Sequence, residues 1–487
     1  MTNNQSQWIW KCAQLSAFIL PFFPAIGGVG LIVTLVVLWK QDYRRIISMP
    51  FNQGFLLFGL WLIVSSCFAS KPQEAFLGLA NFLPFIALTT ALTILIQKPS
   101  QLRQLAWWLV LPSLPIVILG LGQLFGHWNS PPIIEPVLGW RLVAQGEPEG
   151  RMSSIFMYAN ILAAYLAIVF ILALGLWIET YQDWQQDLKQ NKSFIKIAES
   201  GEKQRRGKEE WGTDAHAPRN ARRSGRSIEE NRENFHRSFL LSPNKIWILG
   251  FLSLVLISDG IGLILTNSRN AWGLAFLACL VFAFYVGWRW IVLGVVTAAS
   301  TVLFASWGPS PGREWLRQIV PAFFWARLSD EMYPDRPLAT LRTTQWQFAW
   351  DMMVQRPWTG WGLRNFTPLY KAKWDLWLGH PHNFFLMLLA EIGIPGMLLL
   401  CGLVGWTLFL AVIRIEIWSK SQEKKYKERL ILFTYLVAFG SCVLFNVFDV
   451  TVFDLRVNTL SWLLLSAIAG IVNSSLSRDS LENASTE

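Results

Sequence analysis

The sequence predicts an all-α fold: a polytopic bundle of membrane-spanning helices with one large loop on the extracytoplasmic side. Three observations carry that prediction. Hydrophobic residues make up 53% of the 487 residues and charged residues only 15%, where about 25% charged is usual for soluble domains. Trp (27) and Phe (33) far outnumber Tyr (9), too much apolar surface for a soluble fold to cover. Long apolar runs recur along the whole chain, and a run of about 20 such residues crosses a bilayer as a helix. Length alone would suggest roughly three soluble domains, and composition overrules it. A soluble enzyme, a disordered scaffold and a secreted disulfide module are excluded. So is a β-barrel, whose strands alternate in segments of about ten residues.

The spanning segments fall near 13–38, 53–69, 76–97, 105–126, 153–178, 246–266, 271–288, 290–307, 384–413, 428–449 and 456–474. That gives eleven spans, or twelve if the first stretch is a hairpin broken by its Pro21, Pro24, Gly27, Gly28 and Gly30. Basic residues orient the bundle. Lys40, Arg44 and Arg45, then Lys98 and Arg103, then Arg414, Lys420, Lys424, Lys425, Lys427 and Arg429 all fall on one side by alternation. The positive-inside rule makes that side cytoplasmic. The net charge of +10 is therefore a topology signal and implies no nucleic-acid partner. The five cysteines lie in or beside apolar segments without CxxC spacing, as small helix residues do. No cleavable signal peptide is expected, because the N-terminus reads straight into the first apolar segment.

Six regions follow: N-terminal spans (1–179), a basic cytoplasmic loop expected to be disordered (180–245), central spans (246–307), the large extracytoplasmic loop (308–382), C-terminal spans (383–475) and a cytoplasmic tail (476–487). The large loop is rich in Trp and Arg, and amphipathic helices lying at the membrane surface are expected in it.

Candidate chemistry gathers on the extracytoplasmic side. His382-Asn383 opens a spanning helix, with Gly393 and Gly396 following. The positive end of a helix dipole disfavours imidazolium, which suits a general base working near neutral pH. Arg269 occupies a minimal turn between two spans, where a charge usually has a partner or a job. Arg342 opens the segment that continues to Trp346 and Trp350, and Arg151 precedes Asn160 at the outer end of another span. Several guanidiniums with one acid–base group suit an anionic, phosphate-bearing substrate. No metal and no cofactor are expected, since HExxH-like clusters are missing; the loose group Asp330, Glu331 and Asp335 is the best alternative. Asp259 and Glu391 lie within apolar segments and are either structural partners of buried donors or parts of an ion path.

At these residues the chain resembles the O-antigen ligase/O-antigen polymerase superfamily of bacterial inner membranes. His382-Asn383, nine residues, then Gly393-x-x-Gly396 is similar to the ligase signature; Ser268-Arg269-x-Ala271-Trp272 resembles the family's Ser-Arg turn. Arg342-x-x-x-Trp346 and Arg356-Pro357-x-x-Gly360-x-Gly362 resemble its large-loop stretch, and Arg151 with Phe156 and Asn160 a weaker block. The resemblance implies a GT-C-type fold in a multi-pass inner-membrane protein whose active face is periplasmic. It implies transfer of a glycan from undecaprenyl diphosphate, without metal or nucleotide, to an acceptor hydroxyl on lipid A–core, a growing chain or a protein. Arg269 and Arg342 would then hold the diphosphate, His382 would activate the acceptor, and Asn383 would orient the motif. Arg151, Asn160 and Tyr370 would contact substrate, Tyr370 by stacking on sugar, with membrane lipids around the whole.

The blocks ANFLPF (80–85) and LFNVFDVTVFDLR (444–456) also resemble a cyanobacterial branch named for inorganic-carbon (bicarbonate) transport. That branch does not always keep the His-Asn pair. An anion transporter therefore stands as the alternative to the glycosyltransferase, with Asp259 or Glu391 on its ion path.

Overall fold

The computed structural model describes residues 3–209, 244–329, 337–420 and 425–484. Among these residues the regular elements are helical. Ten helices are long and apolar enough to cross a membrane, or up to eleven if a bent pair counts as one span.

The first apolar stretch is two helices, α1 (Asn3–Ile19) and α2 (Pro24–Ser48). Pro21 and Pro24 flank the break, where proline removes a backbone donor and favours a helix start. The pair is antiparallel, since Gly27 lies against Leu20 and Gly30 against Ser16. Next come α3 (Pro50–Cys67), α4 (Pro72–Gly78) running into α5 (Leu83–Leu95), and α6 (Pro99–Val110) running into α7 (Ser113–Phe125). A loop with the short α8 (Glu135–Leu138) leads to α9 (Ala159–Glu209), which packs against α6 and α18 (Tyr426–Phe448). The helix of α9 continues to Glu209, so the first part of the insert expected to be disordered is helical; the rest of it, 210–243, lies outside the described residues.

After α10 (Asn244–Leu265) and α11 (Arg269–Val286), α12 (Arg289–Trp307) turns by 120° into α13 (Gly312–Ile319). The segment read at 290–307 is α12, and the chain folds back between α12 and α13 at Gly308–Pro311, where the large loop begins. The large loop continues with α14 (Ala322–Leu328), α15 (Arg342–Gln355) and α16 (Phe366–Trp374). The amphipathic expectation fits α13, whose polar and apolar residues segregate. By contrast α15 docks on α17 (Phe384–Lys420) through Ala349 and Met352. The chain closes with α19 (Leu455–Ala484) against α5.

Two ends of the bundle can be told apart. Ion pairs Arg103–Glu179, Lys427–Asp183 and Lys245–Asp187 gather at one end. The other end carries the large loop and is called here the loop end. The segment from Asn160 to Glu179 of α9 joins the two, a rise of about 28 Å at 1.5 Å per residue.

Candidate active site

The helix α17 begins with a side-chain cap. Asn383 Oδ1 accepts the Leu386 amide at 2.9 Å, satisfying a donor that a helix start leaves open. The residue before it, His382, has a left-handed backbone with φ 50°. Two contacts hold that conformation. The His382 amide donates to His380 Nδ1 at 3.2 Å, and Trp346 Nε1 donates to the Pro381 carbonyl at 3.0 Å. Trp346 stands one turn after Arg342 on α15, so the two share a face. Arg342 is exposed, and its charge acts on both His380 and Tyr158.

Facing His382 is Asp449, which ends α18 in extended conformation and is only 4% exposed. Its Oδ1 lies 3.2 Å from His382 Nδ1 and accepts the Val450 amide at 2.9 Å. Its Oδ2 accepts Asn160 Nδ2 at 2.7 Å. Asn160 Oδ1 in turn accepts Arg151 Nη2 at 2.6 Å, and Arg151 Nε donates to the Thr266 carbonyl at 2.7 Å. An unbroken chain of polar contacts therefore runs from the turn holding Arg269, through Arg151, Asn160 and Asp449, to His382. Asn270 ties the same turn to the Phe445 carbonyl at 3.0 Å, four residues before Asp449. Arg269 itself is exposed at the first position of α11.

Electrostatics sort the groups. Burial opposes charge on Asp449, but the His382 hydrogen bond, the two imidazoles and the Val450 amide outweigh it and hold the carboxyl below its ordinary range. Burial, aided by His382 and Arg342 and opposed by Asp449, lowers His380 to about 4, so that ring is neutral near pH 7. Burial also lowers Arg151, countered by Tyr158 and Asp449, and a guanidinium keeps its charge there. With Asp449 anionic beside Nδ1, the carboxylate favours the tautomer that carries a proton on Nδ1 and leaves the lone pair on Nε2. That arrangement equips an imidazole to take a proton from a hydroxyl. No described residue hydrogen-bonds that Nε2.

His380, His382 and Asp449 place their ligand atoms within 4.8 Å of one another, a spacing that could hold a metal ion. The hydrogen bonding does not fit one. His380 Nδ1 accepts an amide proton, so the neutral ring carries its own hydrogen on Nε2. Nε2 is the atom 3.8 Å from Asp449 Oδ1, and it lacks the lone pair a metal needs. The acidic alternative Asp330, Glu331 and Asp335 lies outside the described residues.

Of the residues expected from sequence, the structure brings Arg151, Asn160, His382 and Asn383 together and sets Arg269 and Arg342 on the same end. Arg151 has two nitrogens committed within the protein, so it positions Asn160 as well as carrying charge. Tyr370 is a correction. Expected to stack on sugar, it is 0% exposed, packs between Phe366 and Phe348, and donates its hydroxyl to the Ala339 carbonyl at 2.6 Å. No face of its ring is open to a ligand. Asp449 and His380 were missed. Asp449 lay in a block quoted only for its resemblance, yet a carboxylate at the end of a span with no basic neighbour in sequence is itself a signal. Glu391 has a partner within the fold: its Oε1 accepts the Phe366 amide at the start of α16 at 3.3 Å. Both oxygens of Asp259, and the Tyr165 hydroxyl, have no hydrogen-bond partner among the described residues.

Residues 252–401 match the family model described as O-antigen ligase. The match supports placing the chain in the O-antigen ligase/polymerase superfamily, and it spans Arg269, Arg342, His382 and both glycines of the motif. No curated protein matches the chain.

Proposed function

We propose that this chain, a multi-pass membrane protein carrying an O-antigen ligase domain, transfers a glycan from undecaprenyl diphosphate to an acceptor hydroxyl. The reaction takes place at the periplasmic face of the inner membrane, without a metal. The observation that carries this reading is the contact of His382 Nδ1 with the buried Asp449, itself held by Asn160 and Arg151. His382 Nε2 accepts the proton of the acceptor hydroxyl as its oxygen attacks the anomeric carbon. The bond from that carbon to the diphosphate oxygen breaks, and Asp449 stabilises the imidazolium that forms. Arg342 and Arg269 supply the fixed positive charge that developing diphosphate charge requires. Lipid A–core as acceptor makes the enzyme a ligase; a growing chain makes it a polymerase.

Against the transporter alternative, Glu391 Oε1 accepts the Phe366 amide at the start of α16, which gives one of its two carboxylates a partner within the fold. The test is direct. Purified protein in detergent, treated with chelator, should consume a polyprenyl-diphosphate-linked glycan and release polyprenyl diphosphate. Bicarbonate flux in proteoliposomes, with no donor consumption, would overturn the proposal.

A further inference from the structure

Asp259 lies inside α10, seven residues before Thr266, and is 0% exposed. Neither of its oxygens has a hydrogen-bond partner among the described residues, and neither has the hydroxyl of Tyr165 on α9, which is 2% exposed. The two groups act on one another electrostatically. No basic side chain among the described residues acts on the carboxyl. The third side is a broken helix. α6 and α7 run alongside α10 in register: the Trp107 ring stacks on Phe251 with centroids 6.2 Å apart, Ser113 faces Asp259, and a Cβ on Gly262 would meet Val117 at 3.1 Å. Asp259 therefore stands opposite the break between α6 and α7. Pro112 and Pro115 at that break have no N–H, so the carbonyls of Trp108 and Leu111 lose their helical donors. Ser113 supplies no hydrogen to the carboxyl, because its hydroxyl donates to the Val110 carbonyl at 3.0 Å. It turns lone pairs towards an acid that also offers lone pairs.

We infer that Asp259, Tyr165 and Ser113 bind a small monovalent cation, Na+ in class, between α7, α9 and α10. The donor set is all oxygen, as hard cations require. Carbonyls freed where a membrane helix is broken are a recurring setting for Na+. The single carboxylate sets the charge: one positive charge neutralises the site, whereas a divalent ion leaves an excess in an apolar interior. Close packing favours the smaller ion, since a Cβ on Gly262 would come within 2.9 Å of Leu166. The ion ties three helices together two turns, about 10 Å, beneath the Thr266 carbonyl that holds Arg151. It takes no part in the transfer proposed above and does not depend on it.

Two measurements test it, both on the full chain in detergent without donor. In the first, the melting temperature is followed as NaCl replaces choline chloride at constant ionic strength. An ion that binds only the folded chain stabilises it, so the midpoint should rise by several degrees and saturate, and Asp259→Asn should abolish the rise. Equal midpoints in sodium and choline for the wild type would overturn the site and leave the carboxyl to a proton. A rise undiminished in a folded Asp259→Asn protein would overturn it too, by placing the ion elsewhere. In the second, equilibrium dialysis of the wild type against radioactive sodium keeps the question open to refutation if the variant does not fold. Sodium should be retained in proportion to protein, and retention no greater than in a protein-free control would sink the site.

Discussion

The two ends of one motif on α17 do different work. At the first end, His382 and Asn383 stand at the helix start, partly reachable, with an imidazole nitrogen unengaged by the described residues. At the second, Gly393 and Gly396 are buried at a break in the same helix. Gly393 has φ 72° and ψ 176°, a region open essentially to glycine alone. A Cβ there would collide with the Trp358 carbonyl, and one on Gly396 with the Trp61 ring. The break frees backbone groups that the chain 357–362 takes up. Trp361 N donates to the Ala390 carbonyl at 2.9 Å, Gly362 N to Glu391 at 2.8 Å, and Ile394 N to Pro357 at 2.8 Å. Trp61 Nε1 takes the Ile392 carbonyl at 3.0 Å. Irregular backbone inside a membrane bundle persists only where protein satisfies it in this way. One end therefore leaves a polar atom available, and the other leaves none. The difference separates a reacting group from a seam within one stretch of sequence.

The largest effect should come from the first end. His382→Ala should lower kcat by about 10³-fold or more, within the range for a lost general base, and leave the melting temperature near wild type. Loss of fold in that variant, or retained turnover, would erase the contrast. Asp449→Asn comes next, at about 10²-fold in kcat, because an amide in place of the carboxylate no longer fixes the Nδ1 tautomer or stabilises imidazolium. Its KM for donor should stay within a few-fold, which a purely structural defect would not give.

The second end should respond in stability instead. Gly393→Ala combines a forbidden backbone region with a collision against fixed backbone, about 3 kcal/mol in all. Thermal unfolding in detergent should show it, while the fraction that remains folded keeps its kcat. A Gly393→Ala protein that melts normally yet has lost kcat would mean the seam takes part in chemistry.

Much of this contrast was legible in the sequence, and the missing part has a physical reason. Spans were readable because apolar length is a local property, and basic clusters sorted the ends. His382 and Arg269 stood out as polar groups beside long apolar runs, and Arg342 as the start of the segment that continues to Trp346 and Trp350. What could not be read was pairing across the chain. Asp449 reaches His382 over 67 residues and Asn160 over 289, and no local periodicity encodes either contact. Tyr370 shows the converse error: an aromatic in a polar-looking loop was read as exposed, whereas the loop has a small core of its own with Phe366, Met352 and Ala390.

The smallest effect expected is a pH dependence seated beside the first end. His380 is held at about 4 by burial and by the positive charge of Arg342, against the opposing pull of Asp449, while an unfolded histidine titrates near 6.5. Its other titratable neighbour is His382, whose ring centroid is 4.6 Å away. As pH falls below 6.5 the unfolded chain takes up a proton that the folded chain refuses until about pH 4. Stability is therefore complete above 6.5 and declines across that window. His380→Gln should flatten the melting-temperature profile between pH 6.5 and 4 by a few degrees and change little at pH 7.5. Gly396→Ala, at the seam, should lower the whole profile without altering its slope. A slope that survives in His380→Gln would assign the titration to another group and leave His380 as no more than a prop for the His382 backbone.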